Sequence, residues 1–214
     1  MTKINTDSSV EFLRALKVHE ADYGVELNDT QRRALCDYYE ILGVWNARLH
    51  LVAPCSPAEF ATRHVLESLF ILRFVKRGAR LCDVGSGGGL PAVPCLIVRP
   101  DVSYTLIESN LKKSVFLREA LARVGRSERS EIINARFENV SAPIADFVTC
   151  RALDRFAEMF DALVAWSPRE STLLFFGGHA LGERVERGAL AHTRVQVPRS
   201  NERFIFIIKR PPTK

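Results

Sequence analysis

The stretch LCDVGSGGGLPAVP, from Leu81 to Pro94, joins a short apolar run to a glycine-rich turn and two prolines. Glycine loses more backbone entropy on folding than any other residue, so a turn with four glycines needs a structural reason. In a parallel sheet, such a turn points the first N–H groups of the next helix at whatever lies beyond the strand. Without a Cβ, the turn lets a ligand approach the backbone closely. The stretch therefore predicts a strand, a ligand-binding turn and a helix.

The two prolines after the glycines, Pro91 and Pro94, fit the start of that helix. The first four N–H groups of a helix have no intrahelical acceptor, so a residue without an N–H loses no hydrogen bond there. We therefore predict a helix that begins near Pro91, with Pro91 at its first position and Pro94 at its fourth.

From Arg80 onward, short apolar runs alternate with helical patterns. The predicted strands are RLCDVG, SYTLIES, SEIINA, ADFVTC, STLLFFG, TRVQVP and RFIFIIKR. The predicted helices between them are PAVPCLIV, LKKSVFLREALARV, DRFAEMFDALVAW and ERVERGAL. This alternation predicts an α/β fold with a mostly parallel sheet covered on both faces. The last two strands have no helix between them, which predicts an antiparallel pair.

The residues before Arg80 have the pattern of helices. Ser8 with Glu11 predicts a capping box at the start of the first helix, and Gly24 predicts its end. Asn28 or Asp29 is expected to cap a second helix, which the apolar spacing carries through to Trp45.

A third helix is predicted to start at SPAE, because Ser56 suits the cap and the following proline and glutamate suit the first turn. This helix carries His64, Glu67 and Ser68 on neighbouring faces, since residues three and four apart meet on a helix surface. His64 alone is more typical of a structural histidine than of a catalytic one.

Length and composition are those of a folded protein. The chain has 214 residues, of which 47% are hydrophobic and 26% charged, and these fractions are typical of globular domains. We expect an N-terminal helical region over residues 1–78 that packs on an α/β domain over residues 79–214.

The charge and the absence of certain segments narrow the functional class. A net charge of +5 and a pI near 9.1 are compatible with a polyanionic partner such as RNA. No run of eighteen apolar residues is present, so we expect no membrane span. The first residues lack the apolar core of a signal peptide. Five scattered cysteines without a CxxC pair indicate reduced thiols and a cytoplasmic protein.

Three classes of ligand use a glycine-rich turn after a strand. A P-loop would need a GK[ST] ending, which is missing here. A dinucleotide site prefers GxGxxG, whereas Gly85 to Gly89 read GxGxG and Leu90 follows. This spacing, preceded by the acid Asp83, suits S-adenosylmethionine better, because an acid and a bare backbone can hold its amino-acid end. An NAD-binding oxidoreductase remains the less favoured alternative.

The ends of the next two predicted strands carry further candidates. Glu108 ends the second strand, where an acid can accept both hydroxyls of a ribose. Its alternative role is part of a solvated helix cap, since Ser109 and Asn110 follow. Phe137 and Glu138 follow the third strand and could frame an adenine ring, or equally be a core phenylalanine and a surface glutamate.

These motifs together resemble a known family. The segments DVGSGGGLPAVP, TLIES, KKSVFLRE, ARFENV and VTCRAL are similar to the 16S rRNA guanine-N7 methyltransferase G family, formerly called glucose-inhibited division protein B. The upstream segments WNARLHLV and RHVLESL resemble the helical N-terminal region of the same family, and the likeness runs from about Ala34 to Gly178.

The resemblance implies a fold, a cofactor and a substrate. The fold is that of a class I S-adenosylmethionine-dependent methyltransferase, a Rossmann-like, mostly parallel sheet with an antiparallel last strand and an N-terminal helical extension. The reaction is methylation at N7 of a guanine in 16S ribosomal RNA, either naked or in the small ribosomal subunit. We expect a cytoplasmic monomer that binds no metal and no membrane.

Residue by residue, the resemblance implies cofactor contacts at Gly85, Leu90, Phe137, Glu138 and Arg151, beside the predicted contact at Glu108. N7 of guanine carries a free lone pair at neutral pH, so the enzyme needs positioning rather than a general base. Without the resemblance, Arg151 at the end of the fourth predicted strand would be interpreted as a salt-bridge partner. With it, we predict that Arg151 is catalytic and orients the base or a phosphate by bidentate donation.

Two positions depart from the family pattern. Glu67 stands where the family usually has aspartate, and Gly177 stands before Gly178 where relatives tend to carry a lysine. The missing cation leaves an alternative open: a methyltransferase of the same fold that acts on a small molecule or a protein.

Overall fold

The computed structural model describes residues 6–151, 156–188 and 190–209. Within these residues, seven strands form one sheet in the order β3-β2-β1-β4-β5-β7-β6. The strands are β1 Arg80–Val84, β2 Ser103–Ile107, β3 Ser130–Ile133, β4 Phe147–Arg151, β5 Thr172–Gly177, β6 His192–Gln196 and β7 Phe204–Ile208. β7 runs antiparallel to both of its neighbours, and the other pairs are parallel. This arrangement confirms the predicted strands and the α/β fold class.

The helices pack on both faces of the sheet. Those before the sheet are α1 Thr6–His19, α2 Asp29–Leu49, α3 Pro57–Glu59 and α4 Glu67–Phe70, with a 3₁₀ turn at Glu20–Tyr23. A π-helical stretch, Phe60–Leu66, joins α3 to α4, and a 3₁₀ turn, Ile71–Phe74, follows. Those within the α/β part are α5 Ala92–Val98, α6 Leu111–Arg123, α7 Phe156–Trp166 and α8 His179–Arg187. The first two residues of the predicted helix DRFAEMFDALVAW lie outside the described residues.

The predicted helix ends are mostly confirmed. The Asn28 side chain accepts from the backbone of Gln31, and the Gln31 side chain accepts from the Asn28 backbone, so the pair forms a capping box. Ser56 accepts from the Glu59 backbone N–H. Gly24 ends the first helical segment with φ 66°. The α2 helix extends beyond the predicted Trp45 to Leu49.

Two predictions at helix starts are wrong. Ser8 lies inside α1 rather than before it, so it does not cap that helix. Pro91 is the cap of α5 rather than its first residue, because α5 begins at Ala92, and Pro94 is therefore third rather than fourth. Both prolines still occupy positions whose N–H would have no intrahelical acceptor.

Two hydrophobic clusters flank the sheet. One includes buried residues of the N-terminal helices together with residues of the sheet and of α5 and α6, among them Phe12, Tyr38, Leu81, Leu96 and Phe116. The other lies between the sheet and helices α7 and α8, and includes Val148, Phe160, Phe175 and Val185. Residues on both sides of the predicted boundary between 78 and 79 share the first cluster, and the division itself stays a prediction. None of the helices among the described residues is long and apolar enough to cross a membrane.

Candidate active site

A cleft of about 800 Å³ opens at the carboxyl ends of β1 to β4. The six predicted site residues all line it: Gly85, Leu90, Glu108, Phe137, Glu138 and Arg151. The strand order β3-β2-β1-β4 spreads them over roughly 14 Å, three times the usual spacing of strands. Along this line the cleft passes from Phe137 and Glu138 to Glu108, then to the glycine turn, and finally to Arg151.

The glycine turn needs glycine for its conformation as well as for its openness. Gly85, Gly87 and Gly89 have φ values of 73°, 49° and 80°, in the left-handed region that side chains disfavour. A Cβ at Gly89 would also lie 2.7 Å from Val93 Cγ2, on the following helix. The turn is therefore shaped by its own backbone and by close packing on α5, in addition to any ligand.

Glu108 holds the glycine turn to the start of α6. Its side chain is buried, with Oε2 accepting from the Gly87 N–H at 2.8 Å and Oε1 accepting from the Asn110 N–H at 2.7 Å. Asn110 itself caps α6 by accepting from the backbone of Lys112 and Lys113. Each carboxylate oxygen can accept a second hydrogen bond, so Glu108 keeps acceptor capacity for groups in the cleft.

Phe137 and Glu138 differ in burial. Phe137 is 4% exposed and packs edge-to-face on Trp166, with ring centroids 5.5 Å apart. Glu138 is exposed at the rim of the cleft. Phe137 therefore belongs to the core and also lines the cleft, and its contact with an adenine ring stays a prediction.

Arg151 lies at the end of β4 and donates hydrogen bonds to residues of the third helical segment. Its Nη1 donates to the His64 carbonyl at 3.3 Å and to Ser68 Oγ at 3.2 Å. Its Nη2 donates to the Arg63 carbonyl and to Glu67 Oε2, the latter at 3.3 Å. Burial lowers the pKa of Arg151, which the charge of Glu67 opposes. Bidentate donation to a substrate by these two nitrogens would compete with four protein acceptors.

Glu67 is the centre of this group of side chains. It is 1% exposed and pairs with Arg151 through one oxygen and with Arg203 through the other, where Arg203 Nη2 lies 2.6 Å from Oε1. Burial raises the pKa of Glu67, and the facing guanidinium groups oppose that shift. Through these two ion pairs, Glu67 joins α4 to β4 and to the turn between β6 and β7. No sequence signal connected Arg203 to the site.

Asp83 lies beneath the glycine turn, at 1% exposure. Its Oδ1 accepts from Thr149 Oγ1 at 2.6 Å, while Oδ2 has no hydrogen-bond partner among the described residues. Burial raises the pKa of Asp83 to about 7.

The segment between α2 and α3, from His50 to Ala53, forms one wall of the cleft. The Tyr38 hydroxyl donates to the Gly88 carbonyl and so ties α2 to the glycine turn. Helical periodicity indicates which residues of α2 are buried, but it gives no sign of this hydrogen bond. Among the described residues, no group of three His, Cys, Asp or Glu side chains is placed to hold a metal ion.

These features fit S-adenosylmethionine. The cleft is long enough to extend over four strand ends, and Glu108 has free acceptor capacity midway along it. Because burial raises the pKa of Asp83 to about 7, only the ionised fraction of this carboxyl adds a negative potential beneath the glycine turn, where it favours a cationic ligand group.

Close packing against α8 explains why residue 177 is a glycine. A Cβ at this position would lie 2.5 Å and 2.7 Å from atoms of Leu181, in the first turn of α8. A lysine here would therefore require α8 to move away from β5.

Solved structures of methyltransferases share this fold. A SAM-dependent methyltransferase from Aquifex aeolicus superposes with a TM-score of 0.56 at 14% identity, over 72% of this chain and 93% of that one. A precorrin-6y C5,15-methyltransferase from Geobacter metallireducens GS-15 gives 0.51 at 15% identity, over 67% and 85%. The fold is that of the class I S-adenosylmethionine-dependent methyltransferases.

The sequence then defines the family. Residues 31–202 match the model of the family described as rRNA small subunit methyltransferase G. A ribosomal RNA small subunit methyltransferase G from Neisseria gonorrhoeae is 36% identical over 164 residues, 77% of this chain and 75% of that protein. One from Stutzerimonas stutzeri is 40% identical over 131 residues, 60% of each chain. This chain belongs to the rRNA small subunit methyltransferase G family, which confirms the predicted family and cofactor.

Proposed function

We propose that this enzyme methylates N7 of a guanine in the 16S RNA of the small ribosomal subunit. Family membership supports the substrate, and the basic pI of 9.1 suits an RNA partner. The observation that carries the proposal is the single cleft in which the predicted cofactor residues and Arg151 meet.

The cofactor residues divide the cleft by chemistry. S-adenosylmethionine, when bound, supplies an electrophilic methyl group. We assign Glu108 to the ribose hydroxyls, because it has free acceptor capacity, and Phe137 with Glu138 to the adenine. Gly85 and Leu90, on the turn after β1, are assigned to the methionine end.

The acceptor base belongs at the β4 end of the cleft, where Arg151 lies beside His64. N7 needs no deprotonation, so these residues act by placing the base rather than by moving a proton. No described residue near Arg151 has to serve as a general base.

Methyl transfer to ribosomal RNA tests this assignment. Small subunits and naked 16S RNA from cells without the gene are incubated with the enzyme and radiolabelled S-adenosylmethionine, and the methylated nucleotide is mapped. We expect 7-methylguanosine at one position in at least one substrate. Methyl groups on a small molecule or a protein, with none on RNA, would instead support the alternative that Gly177 left open.

The Arg151→Ala variant tests the acceptor side of the site. We expect its methyl transfer at saturating cofactor to fall by roughly 100-fold or more, as for loss of an oriented group in an active site. Arg80→Ala, at the opposite end of β1 from the cleft, is the matched control and should keep its activity. Undiminished transfer by Arg151→Ala would contradict any role of Arg151 in placing the base, whether by direct contact or through its neighbours.

We also propose that the enzyme works as a monomer in the cytoplasm. The five cysteines are free thiols, which suits a reducing compartment. Light scattering coupled to size-exclusion chromatography tests the monomer, and fractionation of cells tests the compartment.

A further inference from the structure

His64 stands at the acceptor end of the cleft, on the π-helical stretch Phe60–Leu66. Its ring packs on Phe60, with centroids 5.2 Å apart, and its Nδ1 lies 3.5 Å from Nη2 of Arg151. His64 thus borders the same part of the cleft as the residue predicted to orient the acceptor base.

The neighbouring arginine selects one form of the His64 ring. A guanidinium group can only donate, so the approach of Arg151 favours a lone pair on Nδ1 and a proton on Nε2. Burial, together with the charges of Arg151, Arg63 and Arg203, lowers the pKa of His64 to about 3. The imidazole is therefore neutral at physiological pH and carries its one N–H on Nε2.

The Nε2–H group has no acceptor among the described residues, and it is not among the buried polar atoms that lack a partner in that part of the chain. An unpaired ring nitrogen that is not fully buried, on a residue that lines the cleft, is available to donate to a base bound there.

Arg151 has much less capacity left for a substrate. Its two terminal nitrogens together carry four N–H groups, and they donate to the carbonyls of Arg63 and His64, to Ser68 Oγ and to Glu67 Oε2. These contacts suit a group that holds the helix and the His64 ring in place.

We propose that His64 is a specificity-determining residue that donates from Nε2–H to O6 of the acceptor guanine, and that Arg151 positions it. This inference rests on the proposed function. The edge of guanine beside N7 presents two acceptors, N7 and O6, whereas adenine presents an acceptor and the N6 amino donor. A donor placed beside the reacting N7 therefore accepts guanine and rejects adenine. Methylation gives the purine a positive charge, and a neutral imidazole does not oppose that charge.

The test replaces the acceptor guanine by a base without O6 and replaces His64 by a residue without the Nε2–H donor. The two changes are made separately and together. Once the methylated position is mapped, 16S RNA is assembled by ligation with either guanosine or 2-aminopurine ribonucleoside there. The second base keeps N7 but lacks O6. Wild type, His64→Phe and His64→Gln are compared by kcat/KM. The phenylalanine keeps the ring contact with Phe60, and the glutamine keeps an N–H donor.

We expect wild type to prefer guanine over 2-aminopurine by roughly 10- to 100-fold, the range for leaving one buried hydrogen-bonding group unpaired. His64→Phe should lower methylation of guanine to the level of 2-aminopurine and leave 2-aminopurine unchanged. His64→Gln should keep part of the preference. The Kd for S-adenosylmethionine and the urea midpoint should stay near wild type, as they should in His192→Phe, a control on β6 outside the cleft.

Two results would overturn the donor role. One is an equal fall in kcat/KM on both bases in His64→Phe, which would indicate a structural role. The other is a preference in His64→Gln no larger than in His64→Phe. If wild type itself does not methylate the guanosine RNA, the proposed function fails first, and that failure appears before any variant is compared.

Discussion

The two ends of the cleft are built in different ways. The cofactor side, which we define as Gly85 to Leu90 with Glu108 and Phe137, comes from turns that directly follow β1, β2 and β3. The acceptor side, defined as His64, Glu67, Arg151 and Arg203, comes from three segments, and its Glu67–Arg203 contact joins residues 136 positions apart. Hydrogen bonds of the turn backbone, to other backbone groups and to Glu108, shape the first side, whereas ion pairs between side chains hold the second together.

This difference separates what each side contributes to stability. The turn at Gly85 and Ser86 is fixed by N–H groups that donate to the Ile107 carbonyl, so it follows from the sheet itself. The acceptor side depends on a buried carboxylate between two guanidinium groups, and removal of one member leaves the others uncompensated. Changes on the acceptor side should therefore cost more and should spare cofactor binding.

The largest effect is expected from Glu67→Gln. Removal of this buried charge leaves Arg151 and Arg203 facing each other without a counter-ion, at a cost of about 3–5 kcal/mol. Urea unfolding measures the loss, and calorimetric titration should find the affinity of the remaining folded protein for S-adenosylmethionine little changed. The control is Glu59→Gln, whose exposed pair with Arg63 on the same helical segment should be worth less than about 1 kcal/mol.

Next in size is Gly89→Ala, on the cofactor side. A φ of 80° and a Cβ placed 2.7 Å from Val93 should together cost about 2–4 kcal/mol, from backbone strain plus overpacking. Both the free energy of unfolding and the affinity for S-adenosylmethionine should fall. Gly125→Ala separates the two causes, since Gly125 has φ 65° with nothing near its Cβ position. Equal losses in both variants would mean that packing on α5 contributes nothing.

A smaller effect is expected from Tyr38→Phe, which breaks the link between α2 and the glycine turn. The Gly88 carbonyl loses its hydrogen bond from the Tyr38 hydroxyl, at about 1–2 kcal/mol. The Kd for S-adenosylmethionine should rise several-fold, since Gly88 lines the cleft. Tyr39→Phe, next in the chain, removes a hydroxyl with no hydrogen bond to the described residues, and unchanged binding is expected there.

The smallest effect concerns pH and His64. A pKa lowered to about 3 in the folded protein, against about 6.5 unfolded, means that the unfolded chain takes up the proton first as pH falls. The contribution of the neutral His64 ring to the free energy of unfolding is therefore complete above about pH 6.5 and is lost as the pH falls toward 3. Between pH 7.5 and 6 it should cost wild type about 0.5–1 kcal/mol, and His64→Phe should lack that part of the slope. Urea midpoints at the two pH values measure it; identical slopes would falsify the lowered pKa.

The difference between the cofactor side and the acceptor side also explains which parts of the site could be predicted from the sequence. Glu108 and Phe137 could be placed because each follows a predicted strand, and the carboxyl ends of parallel strands meet at one edge. Their exact partners could not, since the hydrogen bonds from Gly87 and Asn110 to Glu108 depend on how the turn and α6 approach.

Most contacts of the acceptor side could not be predicted from the sequence. Neither periodicity nor a motif relates Glu67 to Arg203, because their contact exists only after the hairpin of β6 and β7 has joined the sheet. The π-helical stretch Phe60–Leu66 has the composition of an ordinary helix, so the sequence predicted only that His64, Glu67 and Ser68 share a surface. Where that surface points was a matter of tertiary packing.

The reversed direction of β7 has a consequence for folding. Because β7 pairs antiparallel with β5, its first residue, Phe204, lies opposite Gly177 at the carboxyl edge of the sheet, and Arg203 emerges beside Glu67. The turns of the cofactor side need only contacts among neighbouring β-α units. The Glu67–Arg203 contact instead requires closure of a very long loop, and contacts between residues distant in sequence form slowly. During refolding, a competent nucleotide pocket should therefore arise before the enzyme can position an RNA base.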